Sequence, residues 1–129
     1  MLTVSRRAFL AASLASTFVA PAFAHNGDET IPGFDDALAA GGPILVHVTA
    51  TWCETCQAQK PIVAALLKTP DFAKMKMFEV DFDTRKEVLR RYNVQSQSTM
   101  IIYKAGKEVD RQVGQTDPKL IEAFLREAL

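Results

Sequence analysis

The two cysteines of the chain, Cys53 and Cys56, are separated by two residues in the stretch TWCETCQAQKP. A disulfide between them would close a very small loop, which constrains the unfolded chain little, so a purely structural cross-link is a poor explanation. Zinc is also a poor explanation, because two of its four ligands would have to come from scattered groups. The spacing favours an exposed redox centre that opens and closes as a disulfide, with a copper(I) site on two thiolates as the alternative.

The residues on either side of the pair predict a strand followed by a helix. The run ILVHVTA, residues 44–50, is typical of a buried central strand. After Trp52, apolar residues recur at helical spacing, which places the cysteines at the start of a helix. This predicted apolar face consists of Ala58, Ile62, Val63, Leu66 and Leu67.

The start of a helix is a favourable place for a reactive thiol. Free backbone N–H groups and the positive end of the helix dipole stabilise a thiolate there, so we expect Cys53 to have a lowered pKa and to be the attacking nucleophile. Cys56 lies one turn later on the same face. It is therefore predicted to resolve the mixed disulfide that Cys53 forms.

Further elements follow the same reasoning. Residues 34–39 favour a short helix, 77–83 a second strand, and 100–113 a hairpin that turns at Ala105-Gly106. Thr84 and Glu87 predict a capping box at the start of a helix. Asp117-Pro118 predicts the start of a last helix. We expect the core face of that last helix to consist of Leu120, Ile121, Phe124 and Leu125.

The first 24 residues predict a cleaved export signal, so we expect a single domain at residues 25–129. Arg6 and Arg7 precede the apolar run 8–20, and Ala22-Phe23-Ala24 is typical of a cleavage site before His25. The run SRRAFLA resembles the twin-arginine signature, which predicts export to the periplasm by that route in preference to the general secretory route. An uncleaved membrane anchor is the alternative, although Pro21 and the small residues make the apolar run short for a span.

Composition narrows the class of protein. The 129 residues are 48% hydrophobic and 23% charged, as in one ordinary globular domain. Fifteen basic and fifteen acidic residues cancel, which argues against electrostatic capture of nucleic acid. The predicted element order after the signal is βαβαββα.

In the oxidising periplasm, a close cysteine pair is a disulfide unless something keeps reducing it.

From about residue 43 to the C-terminus, the chain resembles the thioredoxin family. The matching features are ILVHVTATWCETC, Pro61 in the following helix, VDFD, YNV before Thr99, the YKAGKEV hairpin and Gly114 before the last helix. The resemblance implies an α/β thioredoxin fold, with a central mixed β-sheet flanked by helices. It also implies a thiol-disulfide oxidoreductase that uses no cofactor beyond the redox-active disulfide Cys53-Cys56.

The same resemblance assigns partners and site residues. Cys53 is implied as the nucleophile, Cys56 as the resolving cysteine, and Trp52 as a side chain that flanks the substrate groove. The substrate-docking backbone is implied at Gln97, Ser98 and Thr99. The expected partners are protein disulfides as substrates and a membrane thiol transporter as electron donor, with no stable membrane anchor after cleavage.

Two positions depart from the family pattern behind the cysteines. His47 stands where thioredoxins keep a buried aspartate, and Glu79 stands at the position of its lysine partner. One hypothesis is that His47 accepts the proton of Cys56, oriented by Glu79. The alternative is a hydrogen-bonded core histidine without a kinetic role.

A third departure lies opposite the cysteines, where Ser98 occupies the position of the family's cis-proline. A cis bond before a non-proline residue costs about 2.5–4 kcal/mol, so we expect a trans bond between Gln97 and Ser98. The replacement is compatible with altered substrate choice, with opportunistic metal binding, or with a tolerated change that leaves ordinary redox activity.

The two residues between the cysteines bear on the direction of the reaction. Glu54-Thr55 replaces the Gly-Pro that is usual in thioredoxins, and an acidic neighbour disfavours the Cys53 thiolate. A less stable thiolate makes the pair less oxidising. The sequence therefore favours a reductase of protein disulfides, with a disulfide oxidase or a copper(I) carrier as alternatives.

Overall fold

A computed structural model describes residues 29–129 of the chain, so the predicted export signal lies outside the described residues. This part contains one four-stranded sheet and four α-helices. None of these helices has both the length and the apolar character needed to cross a membrane. The elements are α1 (Phe34–Ala40), β1 (Ile44–Thr49), α2 (Glu54–Leu67), β2 (Lys76–Asp81), α3 (Lys86–Arg91), β3 (Thr99–Lys104), β4 (Lys107–Val113) and α4 (Pro118–Arg126), with a 3₁₀ turn at Pro70–Phe72 between α2 and β2.

The sheet has the strand order β2-β1-β3-β4. β1 is parallel to β2 and antiparallel to β3, and β3 is antiparallel to β4. All six residues of β1 are buried, because this strand has neighbours on both edges and helices on both faces. The predicted mixed sheet flanked by helices is confirmed, and α1 precedes the predicted order βαβαββα.

Alternate residues of β1 contribute to two separate cores. Ile44, Val46 and Val48 belong to the core that includes residues of α1 and α3, whereas Leu45 belongs to the core beneath α2 and α4. Because side chains alternate along a strand, His47 lies on the same face as Leu45, towards α2. In the first core, the buried Phe34 ring makes edge contacts with three other rings, at centroid distances of 5.5 Å to Phe78, 5.6 Å to Tyr92 and 5.1 Å to Tyr103.

The strand register brings distant parts of the chain to the carboxyl end of β1. The chain passes from Thr49 into α2 within five residues. The antiparallel neighbour β3 begins at Thr99, which is paired with Val48. The Ser98 N–H donates to the Val48 carbonyl at 2.9 Å. Ser98 therefore lies beside the segment that carries the cysteines.

The predicted face of α2 is wrong at one position. Ala58 is exposed, whereas the neighbouring Gln59 has no exposed surface. The buried residues Cys56, Gln59 and Val63 are spaced by three and four positions and so form one stripe on the helix. Ala58 lies outside this stripe. The pattern of apolar residues missed Gln59, because a polar side chain in a helix is typical of a solvated surface.

The predicted capping box of Thr84 and Glu87 is also wrong. The Thr84 hydroxyl donates to Asp81 at 3.0 Å, and the backbone N–H groups of Asp83 and Thr84 bond to the same carboxylate oxygen. This turn after β2 engages Thr84, so α3 begins only at Lys86 and has no side-chain cap. Glu87 instead pairs with Arg90.

The predicted start of the last helix at Asp117-Pro118 is confirmed. The Asp117 carboxylate caps the helix by accepting hydrogen bonds from the N–H groups of Lys119 and Leu120. Its predicted core face needs one correction, because Leu120 is 53% exposed. The residues that pack against the sheet recur at helical spacing, and Leu120 falls just outside their stripe. They are Ile121, Phe124, Leu125 and Ala128.

Two leucines of α4 provide a matched test of this packing. Leu125→Ala should lower the free energy of unfolding by about 2–5 kcal/mol, because it leaves a cavity at a residue without exposed surface. Leu120→Ala should change it by less than about 0.5 kcal/mol, because the side chain is largely in solvent. Urea unfolding of both variants measures the difference. Equal losses of stability would contradict the orientation of the helix.

Candidate active site

Cys53 and Cys56 form a disulfide at the start of α2. Cys53 is the N-cap residue, with extended backbone angles, and its sulfur accepts a hydrogen bond from the Cys56 N–H at 3.1 Å. A thiolate on Cys53 would keep this donor and the field of the helix N-terminus. The position at the start of the helix is the one that the spacing predicted, and a lowered pKa of Cys53 stays a prediction.

The pair is more buried than the sequence led us to expect. Cys53 is 4% exposed and Cys56 has no exposed surface, and both pack with Ala50 and Phe82. The expectation of an openly exposed redox centre is therefore wrong. The asymmetry favours Cys53 as the sulfur that meets a substrate, because Cys56 has no surface open to a disulfide outside the protein.

Ser98 contacts both sulfurs. Its hydroxyl oxygen lies 3.2 Å from the sulfur of Cys53 and 3.3 Å from that of Cys56. The peptide bonds of residues 29–129 are all trans, which confirms the expectation for the Gln97-Ser98 bond. Ser98 has a φ of 63°, in the left-handed region that non-glycine residues seldom occupy. The sequence indicated an unusual residue here but not this conformation.

The backbone of Ser98 is held on both sides. Its N–H donates to the Val48 carbonyl, and its own carbonyl accepts from the Gly114 N–H at 3.1 Å and from the Gln59 amide at 3.2 Å. Strained backbone persists where surrounding contacts fix it. These three hydrogen bonds therefore account for the left-handed conformation of the backbone from which the hydroxyl extends.

Gln59 is the functional residue that the sequence reasoning missed. Its side-chain amide nitrogen donates to the carbonyls of Ser98, at 3.2 Å, and Gln115, at 2.9 Å. Both N–H groups are thus used, and the side-chain oxygen faces His47 Nε2 at 3.0 Å. An oxygen can only accept, so His47 Nε2 carries the proton and Nδ1 is the free base of this imidazole.

Glu79 does not orient His47 by a hydrogen bond, contrary to the sequence-based hypothesis. The Glu79 carboxylate accepts from the hydroxyl of Thr49 at 3.1 Å and from the ammonium of Lys60 at 3.0 Å. Burial alone would raise the pKa of Glu79, but these donors outweigh burial and hold the pKa below its ordinary value.

His47 lies behind the disulfide but does not bond to it. Among the hydrogen bonds of residues 29–129, none joins His47 to Cys56, and the path between them runs through Gln59 and Ser98. Burial lowers the pKa of His47 below 6.5, although the Gln59 hydrogen bond and the Glu79 charge act in the opposite direction. A cavity of about 180 Å³ borders the ring.

The remaining predicted residues lie around the pair with different exposure. Trp52 is 58% exposed, and its indole N–H donates to Asp83 at 2.8 Å, so it forms a fixed apolar surface next to Cys53. Thr99 is buried, and its hydroxyl donates to the Ser96 carbonyl at 2.7 Å rather than towards the sulfurs. Gln97 is half-buried beside Ser98.

The buried His47 predicts a pH dependence of stability. A histidine with a lowered folded pKa favours folding when neutral, so its contribution is fully present above about pH 6.5 and is lost as the pH falls towards the folded pKa. Between about pH 7.5 and pH 5.5, the free energy of unfolding of the native chain should therefore fall more than that of His47→Gln. Urea titrations at both pH values test this, and parallel losses in the two proteins would contradict it.

Comparison with known proteins agrees with this arrangement. The family model described as Thioredoxin matches residues 25–127. The chain is 34% identical to an H-type thioredoxin of Fagopyrum esculentum over 97 residues, which are 75% of this chain and 82% of that protein. It is also 36% identical to an H-type thioredoxin of Oryza sativa subsp. indica over 90 residues, which are 70% of this chain and 72% of that protein.

Solved structures give the same result. Trxlp from Edwardsiella tarda EIB202 is 38% identical and superposes with a TM-score of 0.72, covering 74% of this chain and 93% of that one. The thioredoxin of Fasciola hepatica is 31% identical, with a TM-score of 0.62 and coverages of 73% and 90%. Thioredoxins work through a redox-active disulfide without a further cofactor. The chain therefore belongs to the thioredoxin family, and it is a thiol-disulfide oxidoreductase whose redox-active disulfide is Cys53-Cys56.

Proposed function

We propose that the protein is exported to the periplasm and works there as a reductase of protein disulfides, with electrons supplied by a membrane thiol transporter. The observation that carries the action on protein disulfides is the asymmetric cysteine pair, in which only Cys53 keeps any exposed surface. Such a pair suits attack on disulfides of other proteins. Cys53 can reach the substrate, while burial protects the Cys56 sulfur from oxidants in solvent until it attacks the mixed disulfide.

Two features support export. The sequence of residues 1–24 is typical of a twin-arginine signal, with Arg6 and Arg7 ahead of an apolar run. The thioredoxin family match begins at residue 25, the residue that would follow the predicted cleavage. The proposed domain, residues 25–129, is then the mature protein.

In the proposed cycle, the reduced protein begins with a Cys53 thiolate. This thiolate attacks one sulfur of a substrate disulfide, so that a bond forms between Cys53 and the substrate while the first substrate thiolate leaves. Cys56 then loses its proton to solvent and attacks the Cys53 sulfur, which releases the second substrate thiolate. The substrate gains two electrons and the protein returns to the Cys53-Cys56 disulfide, which a dithiol donor reduces again.

Glu54 supports the reducing direction. It occupies the first turn of α2, next to Cys53, and is exposed. Its negative charge disfavours the neighbouring thiolate and so favours the disulfide form of the protein. A pair with a less stable reduced form gives electrons to substrates more readily. Because Glu54 lies in solvent, salt weakens this effect.

The export proposal predicts the location of variants of the full chain. Replacing both signal arginines, Arg6→Lys with Arg7→Lys, should leave the uncleaved precursor in the cytoplasm of a bacterial host, because the twin-arginine route reads that pair. Fractionation followed by mass measurement of each form tests this. The native chain in a host that lacks the twin-arginine translocase is the control. Normal export of the double variant would contradict the route, and an uncleaved membrane-bound form would contradict the soluble periplasmic state.

The reductase proposal predicts the redox potential of the pair. Equilibration of the mature protein with glutathione should give a value nearer to about −270 mV, as in thioredoxin, than to about −120 mV, as in the strongest oxidants of the fold. Glu54→His should raise the potential by removing a negative charge and adding a partly positive one, and this shift should shrink at high salt. Metal content after anaerobic purification is measured in parallel. A native potential near the oxidising end contradicts the reductase direction, and stoichiometric copper without disulfide reduction supports the carrier instead.

A further inference from the structure

We propose that the Ser98 hydroxyl is a catalytic hydrogen-bond donor, which stabilises whichever of the two active-site sulfurs carries negative charge. The hydroxyl oxygen is nearly equidistant from the two sulfurs, at 3.2 Å from Cys53 and 3.3 Å from Cys56. Ser98 is buried, so the hydroxyl meets these sulfurs without competition from bulk water. A proline at this position would offer no such donor.

The hydrogen-bonding capacity of a hydroxyl fits both steps of the reaction. A serine hydroxyl has one proton to donate and two lone pairs that accept. In the reduced protein, it accepts from the Cys56 thiol and donates to the Cys53 thiolate. In the mixed disulfide, the Cys53 sulfur is neutral, and the hydroxyl turns to donate to Cys56 as this thiol loses its proton to solvent. The Cys56 thiolate then forms the Cys53-Cys56 bond, and the electron pair of the broken bond leaves with the substrate sulfur.

Cys56 depends on this donor more than Cys53 does. The Cys53 sulfur also accepts from the Cys56 N–H and lies at the helix N-terminus. For the Cys56 sulfur, the contact with Ser98 is the one hydrogen bond within residues 29–129. A buried thiolate without a donor is strongly disfavoured. The hydroxyl therefore supplies what the resolving sulfur needs at the moment of attack.

Ser98 is held in place for this role by its backbone. Its N–H is bonded to Val48, and its carbonyl accepts from Gly114 and Gln59, which together fix a φ of 63°. These bonds hold the backbone from which the side chain extends, and the hydroxyl lies within hydrogen-bond distance of both sulfurs. Gln59 acts through Ser98 and is a positioning residue.

The hydroxyl also shifts the redox equilibrium. A thiolate is a much better acceptor than a neutral disulfide sulfur, so the hydrogen bond stabilises the reduced form more than the oxidised form. The hydroxyl lowers the pKa of Cys53 and raises the reduction potential of the cysteine pair, whether the protein reduces or oxidises its substrates. The inference is therefore independent of the direction of electron transfer. Its failure would leave the proposed function intact.

Two variants isolate the hydroxyl from the backbone. Ser98→Ala and Ser98→Gly both remove it, but alanine keeps the strain of the left-handed conformation, whereas glycine adopts this conformation freely. We expect both to raise the pKa of Cys53, measured by ultraviolet thiolate absorbance, and to shift the equilibrium with glutathione towards the disulfide by about tenfold, or about 30 mV for this two-electron couple. Thr69→Ala is the control, since its hydroxyl bonds to Leu66 at the end of α2.

The pH dependence separates a donor from a structural role. The difference in the glutathione equilibrium between the native protein and the variants should reach its full size at pH values where Cys53 is ionised. It should vanish below the pKa of Cys53. The charged groups near the pair are Glu54 in α2, Asp83 bonded to Trp52, and Lys86 over the Phe82 ring. The titratable His47 lies buried behind Gln59. All of them are unchanged in both variants, so they cancel in the comparison.

The outcomes are decisive in both directions. Shifts of similar size in Ser98→Ala and Ser98→Gly, together with slower release of substrate from the mixed disulfide, support the proposal. A shift in the alanine variant alone identifies backbone strain as the cause and overturns it, as do unchanged pKa values and equilibria in both variants. Urea unfolding of the oxidised proteins confirms that each variant is folded, and the glycine variant provides the test if the alanine variant is not.

Discussion

The side chain of Gln59 joins the segments from which the active site is built. It extends from α2 and bonds to His47 in β1, to the Ser98 carbonyl before β3 and to the Gln115 carbonyl before α4. A buried amide with every donor used is costly to disrupt, because removing one partner leaves a desolvated polar group. The Gln59 side chain lies between the imidazole and the serine. The side chain that fixes the tautomer of His47 through its oxygen therefore also holds the backbone of Ser98 through its amide nitrogen.

Glu54 and Ser98 act on the potential of the pair in opposite directions. The exposed carboxylate disfavours the thiolate but is screened by water and salt. The serine hydroxyl favours the thiolate from a buried position, where electrostatic interactions are stronger. The two residues between the cysteines therefore determine only part of the potential. The rest is determined by a residue that lies far away in sequence and reaches the sulfurs through the pairing of β1 with β3.

Local patterns predicted the order of the elements because each strand and helix carries its own periodicity. They placed Cys53 and Cys56 correctly at the start of α2. They failed where a second element decides the outcome. Leu120 has the right spacing for a core face, but the packing of α4 leaves it in solvent. Gln59 is buried although its side chain is polar, because three other segments supply hydrogen-bond partners for it. Glu79 was expected at His47, yet Lys60 from α2 was a better partner for a carboxylate.

Ser98 was identified from the sequence as a departure from the family, but its chemistry depends on a backbone conformation that no local pattern indicates. Its N–H continues the hydrogen bonding between β1 and β3 by one residue, up to the sulfurs. A proline has no N–H for this bond, and its ring restricts φ to about −65°, far from the observed 63°. Restoring a proline at Ser98 would therefore not simply recreate the common form of the site, because it would also release the backbone from Val48. The backbone of Ser98 thus ties the sheet to the segment that carries the disulfide, and this held backbone places the hydroxyl against both sulfurs.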